Sequence, residues 1–536
     1  MRKLVALLLC VVMLSASARV IKMPLAKNAL SHEFIESVEL TDDSTTFTIA
    51  MFHLPGYWCS LDTLALRGTV SGKEYPLLSV KDYTFNEKKT MPESGVWRFK
   101  ASFAPLDACD TIVNLLEKNS SAGFYNVRLS STPPAGKIHT RIEGTYPGKD
   151  KALVIEDATA QPNDPGRRIW IPVEEDGHFS YDMYSDDVQG LVITEKDMYL
   201  KGRFRNPRML SEDAVITVNY KKNEEGEFTP TFSAPAGTLT HELNEIEAYA
   251  MDLWNNAPVV HRRDSLEKAK KYYTPELYRL EELYKKHPEQ KDSIGELVNE
   301  LWKQGKARSK EGQLAEEAVE KFGTVDLQNL KITKAVEKRS FAGLFTLVHA
   351  SWYTKDTAPI TAAWREYYAD LFPGHPYTER LKMLSETTDP VPGNKFVDFS
   401  APDLQGEVHR VSDLVKGHPA LIDLWATWCM PCRRTAISMK PVYEKYADKG
   451  FVIVGVGANE SFEQIKRAAE KDNYPWTVLA EVAGQNGIWA KYRCSNAGGT
   501  SVLVDADGTI VSVYPKAEEV EKYLEEFYGN TGKPQK

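Results

Sequence analysis

The sequence has no excess of basic residues, no long apolar run beyond its first 18 residues and no second pair of closely spaced cysteines. Acidic side chains outnumber basic ones by 75 to 66, which gives a formal charge of −9. This balance argues against a nucleic-acid partner, which needs concentrated basic surface. The lack of an apolar run of about 18 residues after residue 18 argues against an integral membrane protein.

Length and composition indicate a large globular chain. The 536 residues are 42% apolar and 26% charged, which excludes wholesale disorder. At roughly 150 residues per domain, the length predicts three or four domains.

The first 18 residues have the pattern of an export signal. Arg2 and Lys3 precede an apolar segment, 4–14, and Ala16-Ser17-Ala18 is an A-x-A cleavage pattern. We therefore predict a signal peptide over residues 1–18, cleaved near Ala18, and a periplasmic location; a buried N-terminal strand is the alternative. Five cysteines remain after cleavage, and because five is odd, at least one is always unpaired.

Strand patterns dominate the first half of the chain. The alternating segments STTFTIAMF (44–52) and VWRFKASFA (96–104) predict an N-terminal β-sandwich domain over residues 19–133. A second β-rich domain follows over residues 137–232, where Asp176-Gly177 predicts a hairpin turn between two strands.

The second half changes from helical to mixed character. Residues 240–386 predict a helical segment, in which Thr274-Pro275-Glu276 has the pattern of a helix start. Residues 392–530 alternate between strands and helices, and the apolar runs 419–426 and 450–458 are typical of central strands covered on both faces. The fold class is therefore multidomain: two N-terminal β domains, a helical middle and a C-terminal α/β domain. A helix over roughly 430–447 lies between the two apolar strands.

The segment DLWATWCMPCRR (423–434) places a CxxC pair where a central strand meets that helix. Free backbone N–H groups and the positive end of the helix dipole favour a thiolate there. We predict that Cys429 is the exposed nucleophile and that Cys432, one turn later, is more shielded and resolves the mixed disulfide. Pro431 stiffens the turn, and Arg433 adds positive charge. An inert structural disulfide remains an alternative, and a zinc site is a weaker one, because structural zinc usually takes four ligands.

Asp423 lies six residues before Cys429 on the apolar strand. Burial of an acid raises its pKa, which would suit Asp423 to exchange a proton with Cys432. A polar core residue satisfied by hydrogen bonds is the alternative. We interpret Trp425, on the same strand, as core packing.

The segment LIDLWATWCMPCR resembles the active-site strand and helix of thioredoxins, particularly of TlpA-like and ResA-like periplasmic reductases. The resemblance covers about residues 392–530 and includes GNKFVDFSAPDLQGEVHRVSDLVKG and VLVDADGTIV. It implies a thioredoxin fold and a thiol–disulfide oxidoreductase, without cofactor or metal. It also implies catalytic roles for Cys429, Cys432 and Asp423. A substrate-binding surface is implied for the residues around the pair and on the facing loop, which are Trp428, Met430, Pro431, Gly499 and Thr500.

The chain departs from the family pattern in three places. Gly499 stands where thioredoxins carry a cis-proline that shapes the substrate-binding loop. Thr435 and Ile437 replace an acid and a proline that often follow the motif, which weakens an assignment to cytochrome c maturation. Cys494, five residues before Gly499, is either a buried apolar residue, which we favour, or a third redox thiol.

The upstream domains resemble β domains of multidomain thioredoxin-like proteins of Bacteroidota. Cys59 and Cys109 either form a disulfide that closes a loop of about 50 residues or are two isolated, buried cysteines. The aromatic residues Tyr57, Trp58 and Trp170 are either a ligand platform or, as we favour, core packing.

These observations predict an exported oxidoreductase that reduces disulfides in protein substrates. By resemblance, its electrons would come from a membrane donor of the CcdA or DsbD kind. The direction of the reaction is left open, because it depends on the relative stabilities of dithiol and disulfide. The alternative is a binding or scaffold protein, in which the β domains recognise a ligand and the thioredoxin-like domain is a degenerate adaptor.

Overall fold

A computed structural model describes residues 18–531, except residues 31, 120–121, 131, 159–167, 202, 204–208, 223–226, 353, 355–356, 387–389, 461, 483–486, 493 and 495–498. Of the predicted export signal, all but Ala18 therefore lies outside the described residues. The chain forms two compact units that divide between His241 and Glu242. No helix of the described residues is long and apolar enough to cross a membrane.

The first unit begins with a sandwich of two five-stranded sheets. The sheet orders are β1-β3-β4-β10-β8 and β2-β12-β11-β6-β7, with a separate ribbon of β5 and β9. Residues of both sheets, such as Phe47 and Leu66, share one buried core. The strands are β1 (Arg19–Lys22), β2 (Lys27–Asn28), β3 (Glu33–Leu40), β4 (Thr45–Phe52), β5 (Trp58–Cys59), β6 (Leu64–Gly68), β7 (Glu74–Tyr75), β8 (Leu77–Lys81), β9 (Lys89–Thr90), β10 (Val96–Phe103), β11 (Ile112–Glu117) and β12 (Gly123–Arg128).

A second sandwich of two four-stranded sheets follows. Its sheet orders are β16-β13-β19-β20 and β15-β14-β17-β18. Its elements are β13 (Ile138–Thr145), β14 (Ala152–Asp157), β15 (Arg168–Pro172), β16 (His178–Ser185), β17 (Gly190–Glu195), α1 (Lys196–Leu200), β18 (Met209–Leu210), β19 (Ala214–Lys222) and β20 (Phe228–Ser233).

The predicted hairpin around Asp176-Gly177 is wrong in its pairing. A turn does form there, with Gly177 at φ +87° and its N–H donating to the carbonyl of Glu174. However, β15 pairs with β14 in one sheet and β16 pairs with β13 in the other. The turn therefore carries the chain between the two sheets, because each strand finds its ladder partner elsewhere.

The two sandwiches share a small apolar core of their own. Phe52 of the first sandwich stacks on Trp170 of the second, with ring centroids 4.9 Å apart and an interplanar angle of 17°. Trp170 is fully buried, as predicted, whereas Tyr57 and Trp58 are more than half exposed and are not core residues. The remaining members of this shared core are Phe34, Ala50, Val96, Ala152 and Val154.

The predicted helical middle is confirmed as a fold class. Its helix α4 begins at Pro275 with Thr274 as the residue before it, as the sequence indicated. Helix α8 is buried at nearly every position and forms the centre of this segment. The helices are α2 (Leu239–Asn255), α3 (Pro258–Lys268), α4 (Pro275–Lys286), α5 (Lys291–Lys303), α6 (Lys310–Lys321), α7 (Leu327–Val336), α8 (Phe341–Ala350), α9 (Ala358–Tyr367) and α10 (Pro376–Glu386).

The C-terminal domain is a five-stranded mixed sheet with helices, as expected of a thioredoxin fold. The order is β25-β24-β23-β26-β27, in which β23, β24 and β25 are parallel and β26 and β27 antiparallel. Its elements are β21 (Ser400–Pro402), β22 (Val408–Arg410), α11 (Val411–Leu414), β23 (Ala420–Trp425), α12 (Met430–Ser438), α13 (Lys440–Tyr446), β24 (Val452–Glu460), α14 (Phe462–Asp472), β25 (Thr477–Val482), α15 (Ile488–Lys491), β26 (Thr500–Val504), β27 (Ile510–Val513) and α16 (Ala517–Thr531).

The predicted single helix over 430–447 is wrong, because it is broken at Met439. Helix α12 ends at Ser438, and α13 begins at Lys440 with Pro441 in its first turn. Proline has no N–H to donate to the carbonyl four residues earlier, so it starts a new helix instead of continuing the old one. The domain limits themselves stay predictions.

We expect the shared core of the two sandwiches to be a major source of stability for the first unit. Trp170→Ala should lower the free energy of unfolding by about 3–5 kcal/mol, because it removes a fully buried indole. Trp58→Ala, the matched control at an exposed indole, should cost less than about 1 kcal/mol. Denaturant titration of the two variants measures the difference. Equal losses would contradict the shared core.

Candidate active site

The CxxC pair lies where the strand β23 meets the helix α12, as predicted. Cys429 and Cys432 are joined by a disulfide, with their Cα atoms 5.3 Å apart. Cys429 caps the N-terminus of α12, and its sulfur accepts a hydrogen bond from the N–H of Cys432 at 3.3 Å. The position at a helix start places free N–H groups and the positive end of the dipole at the sulfur, and both favour a thiolate.

The predicted exposures of the two cysteines are wrong in this oxidised chain. Cys429 is only 5% exposed, and Cys432 is half-buried rather than more shielded. Cys429 packs with Ala426 into a small apolar cluster, against which Cys432 and Trp489 also pack. Any assignment of Cys429 as the nucleophile therefore rests on its place at the helix start, not on exposure.

Asp423 lies in the middle of β23, hydrogen-bonded into the sheet on both edges. It is opposite Gly455 of β24 and Ser501 of β26 and is 4% exposed. Burial raises the pKa of its carboxyl to about 7. None of the described residues hydrogen-bonds one of its carboxyl oxygens, Oδ2, which is buried. Both interpretations of Asp423 stay predictions.

The alternation of β23 puts Asp423 on the face of the sheet that α12 covers. Side chains two residues apart on a strand share a face, so Asp423 faces the same way as Leu421 and Trp425. Both belong to the buried core against which Cys432 packs. The acid therefore faces the layer of the domain that contains Cys432. Trp425 is fully buried, as expected of core packing.

The residue at the expected cis-proline position, Gly499, contacts the second cysteine directly. Its N–H donates to the sulfur of Cys432 at 3.4 Å. A β-carbon at this position would lie 1.8 Å from the carbonyl oxygen of Leu424, so only glycine fits. The described residues contain no cis peptide bond.

The predicted substrate surface is only partly at the surface. Trp428 is 40% and Met430 54% exposed, and Pro431 is also exposed. These three form an apolar rim beside the disulfide. Thr500 begins the inner strand β26 and is 5% exposed, so its side chain is not part of this rim, and its role in substrate binding stays a prediction.

Arg433 has a partner that the sequence did not indicate. Its guanidinium binds both carboxylate oxygens of Asp472, each at 2.6 Å, and also donates to the carbonyl of Thr427. Asp472 further accepts from the hydroxyl of Tyr474 at 3.0 Å. Arg433 lowers the pKa of Asp472. The positive charge that Arg433 was expected to add is therefore paired with the carboxylate of Asp472. Arg433 ties the loop before Cys429 to the end of α14.

The sequence also gave no indication of Trp489 or of the Glu481 contact that orients it. The carboxylate of Glu481 accepts hydrogen bonds from the N–H groups of Ile488 at 2.6 Å and Trp489 at 3.1 Å, at the start of α15. This contact orients the tryptophan that packs against the cysteine pair. No local motif marks these residues, because α15 has only four residues.

The remaining cysteines lie apart from the CxxC pair. Cys494 is 7% exposed and packs with Ile422 and Leu424 on the opposite face of β23, and burial raises the pKa of its thiol. This agrees with the favoured interpretation of a buried apolar residue. Cys59 and Cys109 form no disulfide, so they are isolated cysteines, but only Cys59 is buried; the expected burial is wrong for Cys109, which is exposed.

One cluster of three potential metal ligands occurs among the described residues. Asp403 and Glu407 lie in the turn between β21 and β22, and His409 lies in β22. The carboxylate of Asp403 already accepts from the N–H groups of Gln405 and Glu407 and contacts the ring of His409 at 2.8 Å. These contacts describe a closed turn.

Comparison with known proteins places the C-terminal domain among thioredoxin-like proteins. The model of the AhpC/TSA family matches residues 392–513. The thiol-disulfide oxidoreductase ResA of Geobacillus kaustophilus is 28% identical over 152 residues, which are 28% of this chain and 85% of that protein. ResA of Bacillus anthracis is 30% identical over 138 residues, or 25% of this chain and 78% of that protein.

Two further proteins are similar to part of this chain. The thioredoxin-like protein YneN of Bacillus subtilis is 32% identical over 125 residues, which cover 23% of this chain and 70% of that protein. Among solved structures, the thioredoxin domain of a thiol-disulfide oxidoreductase from Bacteroides vulgatus is 26% identical. It covers 26% of this chain and 97% of that structure, with a TM-score of 0.24.

We expect Asp423 to make the stability of the C-terminal domain depend on pH. The unfolded carboxyl releases its proton near pH 4, whereas the folded carboxyl keeps it to about pH 7. Its contribution is therefore fully present below about pH 4 and falls as pH rises to about 7, by at most about 1.4 kcal/mol per pH unit. Asp423→Asn should remove this part of the slope.

The measurement is the free energy of opening of β23 at pH 5 and pH 8, from hydrogen–deuterium exchange of its peptides. Asp448→Asn, at an exposed carboxylate on the same domain, is the control and should leave the slope unchanged. An Asp423→Asn profile that parallels that of the unaltered chain would show that this carboxyl stays ionised in the fold.

Proposed function

The chain belongs, through its C-terminal domain, to the thioredoxin-like proteins of the AhpC/TSA family, and from this premise we propose that it is an exported reductase of protein disulfides. The observation that supports the proposal is the Cys429–Cys432 disulfide at the start of α12, with the buried acid Asp423 facing the same layer. The oxidoreductase class follows from the family. We propose in addition that the Cys429–Cys432 dithiol carries out the reaction, that the reaction runs in the direction of substrate reduction, and that the chain is exported.

In the proposed cycle, the reduced chain donates two electrons to a substrate. The Cys429 thiolate attacks one sulfur of the substrate disulfide and forms a mixed disulfide with it. The other substrate sulfur leaves as a thiolate. Cys432 then loses its proton and attacks the sulfur of Cys429. This step forms the disulfide of the chain, breaks the mixed disulfide and releases the second substrate thiolate.

Asp423 is the proposed proton carrier for Cys432. A carboxyl with a pKa of about 7 is present in both protonation states near neutral pH, so it accepts a proton as readily as it donates one. The proton lost by the Cys432 thiol passes to Asp423 when the disulfide forms. It returns when the disulfide is reduced.

The exposed apolar rim is the proposed docking surface for substrate. Trp428, Met430 and Pro431 lie around the buried Cys429, so a protein that reaches the sulfur must cover them. Apolar side chains beside a disulfide suit an unfolded or locally open protein segment, which exposes apolar groups of its own.

Export and the electron donor complete the proposal. The signal pattern over residues 1–18 supports a periplasmic location. An oxidising compartment does not return a reductase to its dithiol form, so a membrane donor of the CcdA or DsbD kind is required. The likeness to TlpA-like proteins of Bacteroidota supports the same arrangement.

The equilibrium potential of the Cys429–Cys432 pair tests the direction. We expect a value near that of thioredoxin, about −270 mV, as a protein reductase requires. Mass-tagging of thiols in the full chain, across dithiothreitol and glutathione buffers, measures it. A value near −120 mV would make the chain an oxidant. A pair that no buffer reduces would instead be a structural link and favour the scaffold alternative.

Matched cysteine variants test the two roles. Cys432→Ser should accumulate mixed disulfides with periplasmic proteins through Cys429, roughly tenfold more than Cys429→Ser does through Cys432, because the helix start favours the Cys429 thiolate. Non-reducing gels and mass spectrometry of the trapped complexes provide the comparison. Cys494→Ser is the control and should behave as the unaltered chain. More trapping through Cys432 would reverse the assignment.

A further inference from the structure

Gly499 has a feature that proline at the same position lacks: a backbone N–H. Among thioredoxins, which the active-site segment resembles, the residue facing the CxxC pair is a cis-proline, whose nitrogen carries no hydrogen. In this chain the nitrogen of Gly499 donates to the sulfur of Cys432 at 3.4 Å. The substitution therefore adds a hydrogen-bond donor beside a reacting atom.

The position of this donor is fixed by the sheet. The residue after Gly499, Thr500, begins β26 and pairs with Leu424 of β23. A β-carbon on Gly499 would meet the carbonyl oxygen of Leu424 at 1.8 Å, so the backbone there lies directly against β23. The N–H consequently keeps its direction without help from a side chain.

Each sulfur of the pair then has one backbone donor. The N–H of Cys432 serves the sulfur of Cys429, and the N–H of Gly499 serves the sulfur of Cys432. The nearest cation in the sequence, Arg433, is bound to both oxygens of Asp472 and to a backbone carbonyl. The charged group that faces the same layer, Asp423, is an acid and disfavours a second negative charge.

We propose that the N–H of Gly499 stabilises the thiolate of Cys432 and thereby sets the position of the dithiol–disulfide equilibrium. This inference rests on the proposed function and names a positioning role within it. When a donor thiolate attacks the sulfur of Cys429, the Cys429–Cys432 bond breaks and its electron pair goes to Cys432. The Gly499 N–H hydrogen-bonds the thiolate so formed. A second donor thiol then releases Cys429, which completes the two-electron reduction.

The strength of the contact changes during this step. A hydrogen bond to an ionised acceptor is about twice as strong as one to a neutral acceptor, so Gly499 stabilises the Cys432 thiolate, before Asp423 returns its proton, more than it stabilises the disulfide. Its loss should favour the disulfide and make the pair more reducing. Any residue without a backbone N–H at this position would have the same effect.

An amide-to-ester replacement at Gly499 tests this without adding a β-carbon. Glycolic acid in place of Gly499 removes only the N–H, and the full chain is assembled by ligation at Cys494. We expect a tenfold change in the equilibrium constant toward the disulfide, which is a potential lower by about 30 mV. The matched control is the same replacement at Gly508, whose N–H donates to the carbonyl of Asp505 at 3.0 Å, in the turn between β26 and β27.

The outcomes separate this inference from the function on which it rests. A shift at Gly499 and none at Gly508 supports the role of the N–H. Equal potentials for the Gly499 ester and the natural chain, or equal shifts for both esters, would overturn it while the enzyme still cycles. A natural chain that no buffer reduces would overturn the proposed function, and the inference with it.

A second measurement does not require the ester-containing chain to fold. In the natural reduced chain with ¹⁵N at Gly499, the amide proton should move downfield as Cys432 ionises. The same titration of Cys432→Ala should show no such movement. An amide resonance that is unchanged in the natural chain would also overturn the inference.

Discussion

The pairing of β23 along both of its edges is the constraint on which the site depends. Parallel pairing with β24 and antiparallel pairing with β26 leave all six residues of β23 buried. The strand can therefore neither slide nor tilt, and the chain leaves it at Trp425 in a fixed direction toward Cys429. The same two ladders isolate Asp423 from water and bring Gly499 beside Leu424. The hydrogen-bonded register of β23 therefore determines the positions of Asp423, the disulfide and Gly499.

The groups that stabilise negative charge on the two sulfur atoms are backbone dipoles rather than ionised side chains. Arg433, the cation closest in sequence, is paired with Asp472 in a mostly buried contact. The sulfurs instead contact the N-terminus of α12 and the backbone N–H groups of Cys432 and Gly499. Such fixed dipoles are part of the fold, and salt screens them far less than it screens exposed charges.

The parts of the structure that could be predicted from sequence are those with local causes. The alternation of segment 44–52 and the apolar runs at 419–426 and 450–458 each lie in strands, because burial pattern is a local property of a strand. The CxxC pair was placed at the strand–helix junction for the same reason. Pairing between distant segments was not accessible. Asp176-Gly177 indicated a turn but not which sheets it joins, and no feature near Arg433 pointed to Asp472, 39 residues later.

Exposure was the property that local reasoning predicted least well. The position of Cys429 at a helix start suggested an open thiol, but Cys429 is buried in a small apolar cluster against which Trp489 packs, and Glu481 accepts a hydrogen bond from the Trp489 N–H. Thr500, which the family resemblance places in the substrate-binding loop with Gly499, belongs to an inner strand and is buried. In both cases, the exposed fraction of the side chain depends on packing against a distant part of the chain.

The close approach of Gly499 to Leu424 also has an evolutionary consequence. A glycine codon reaches a proline codon through two nucleotide changes, and the intermediate is an alanine or an arginine codon. Both intermediates place a β-carbon where the carbonyl of Leu424 lies. Proline carries a β-carbon as well, so any other residue at this position requires the backbone to separate from β23 there. Changes in the redox behaviour of the pair are therefore easier to obtain at other residues.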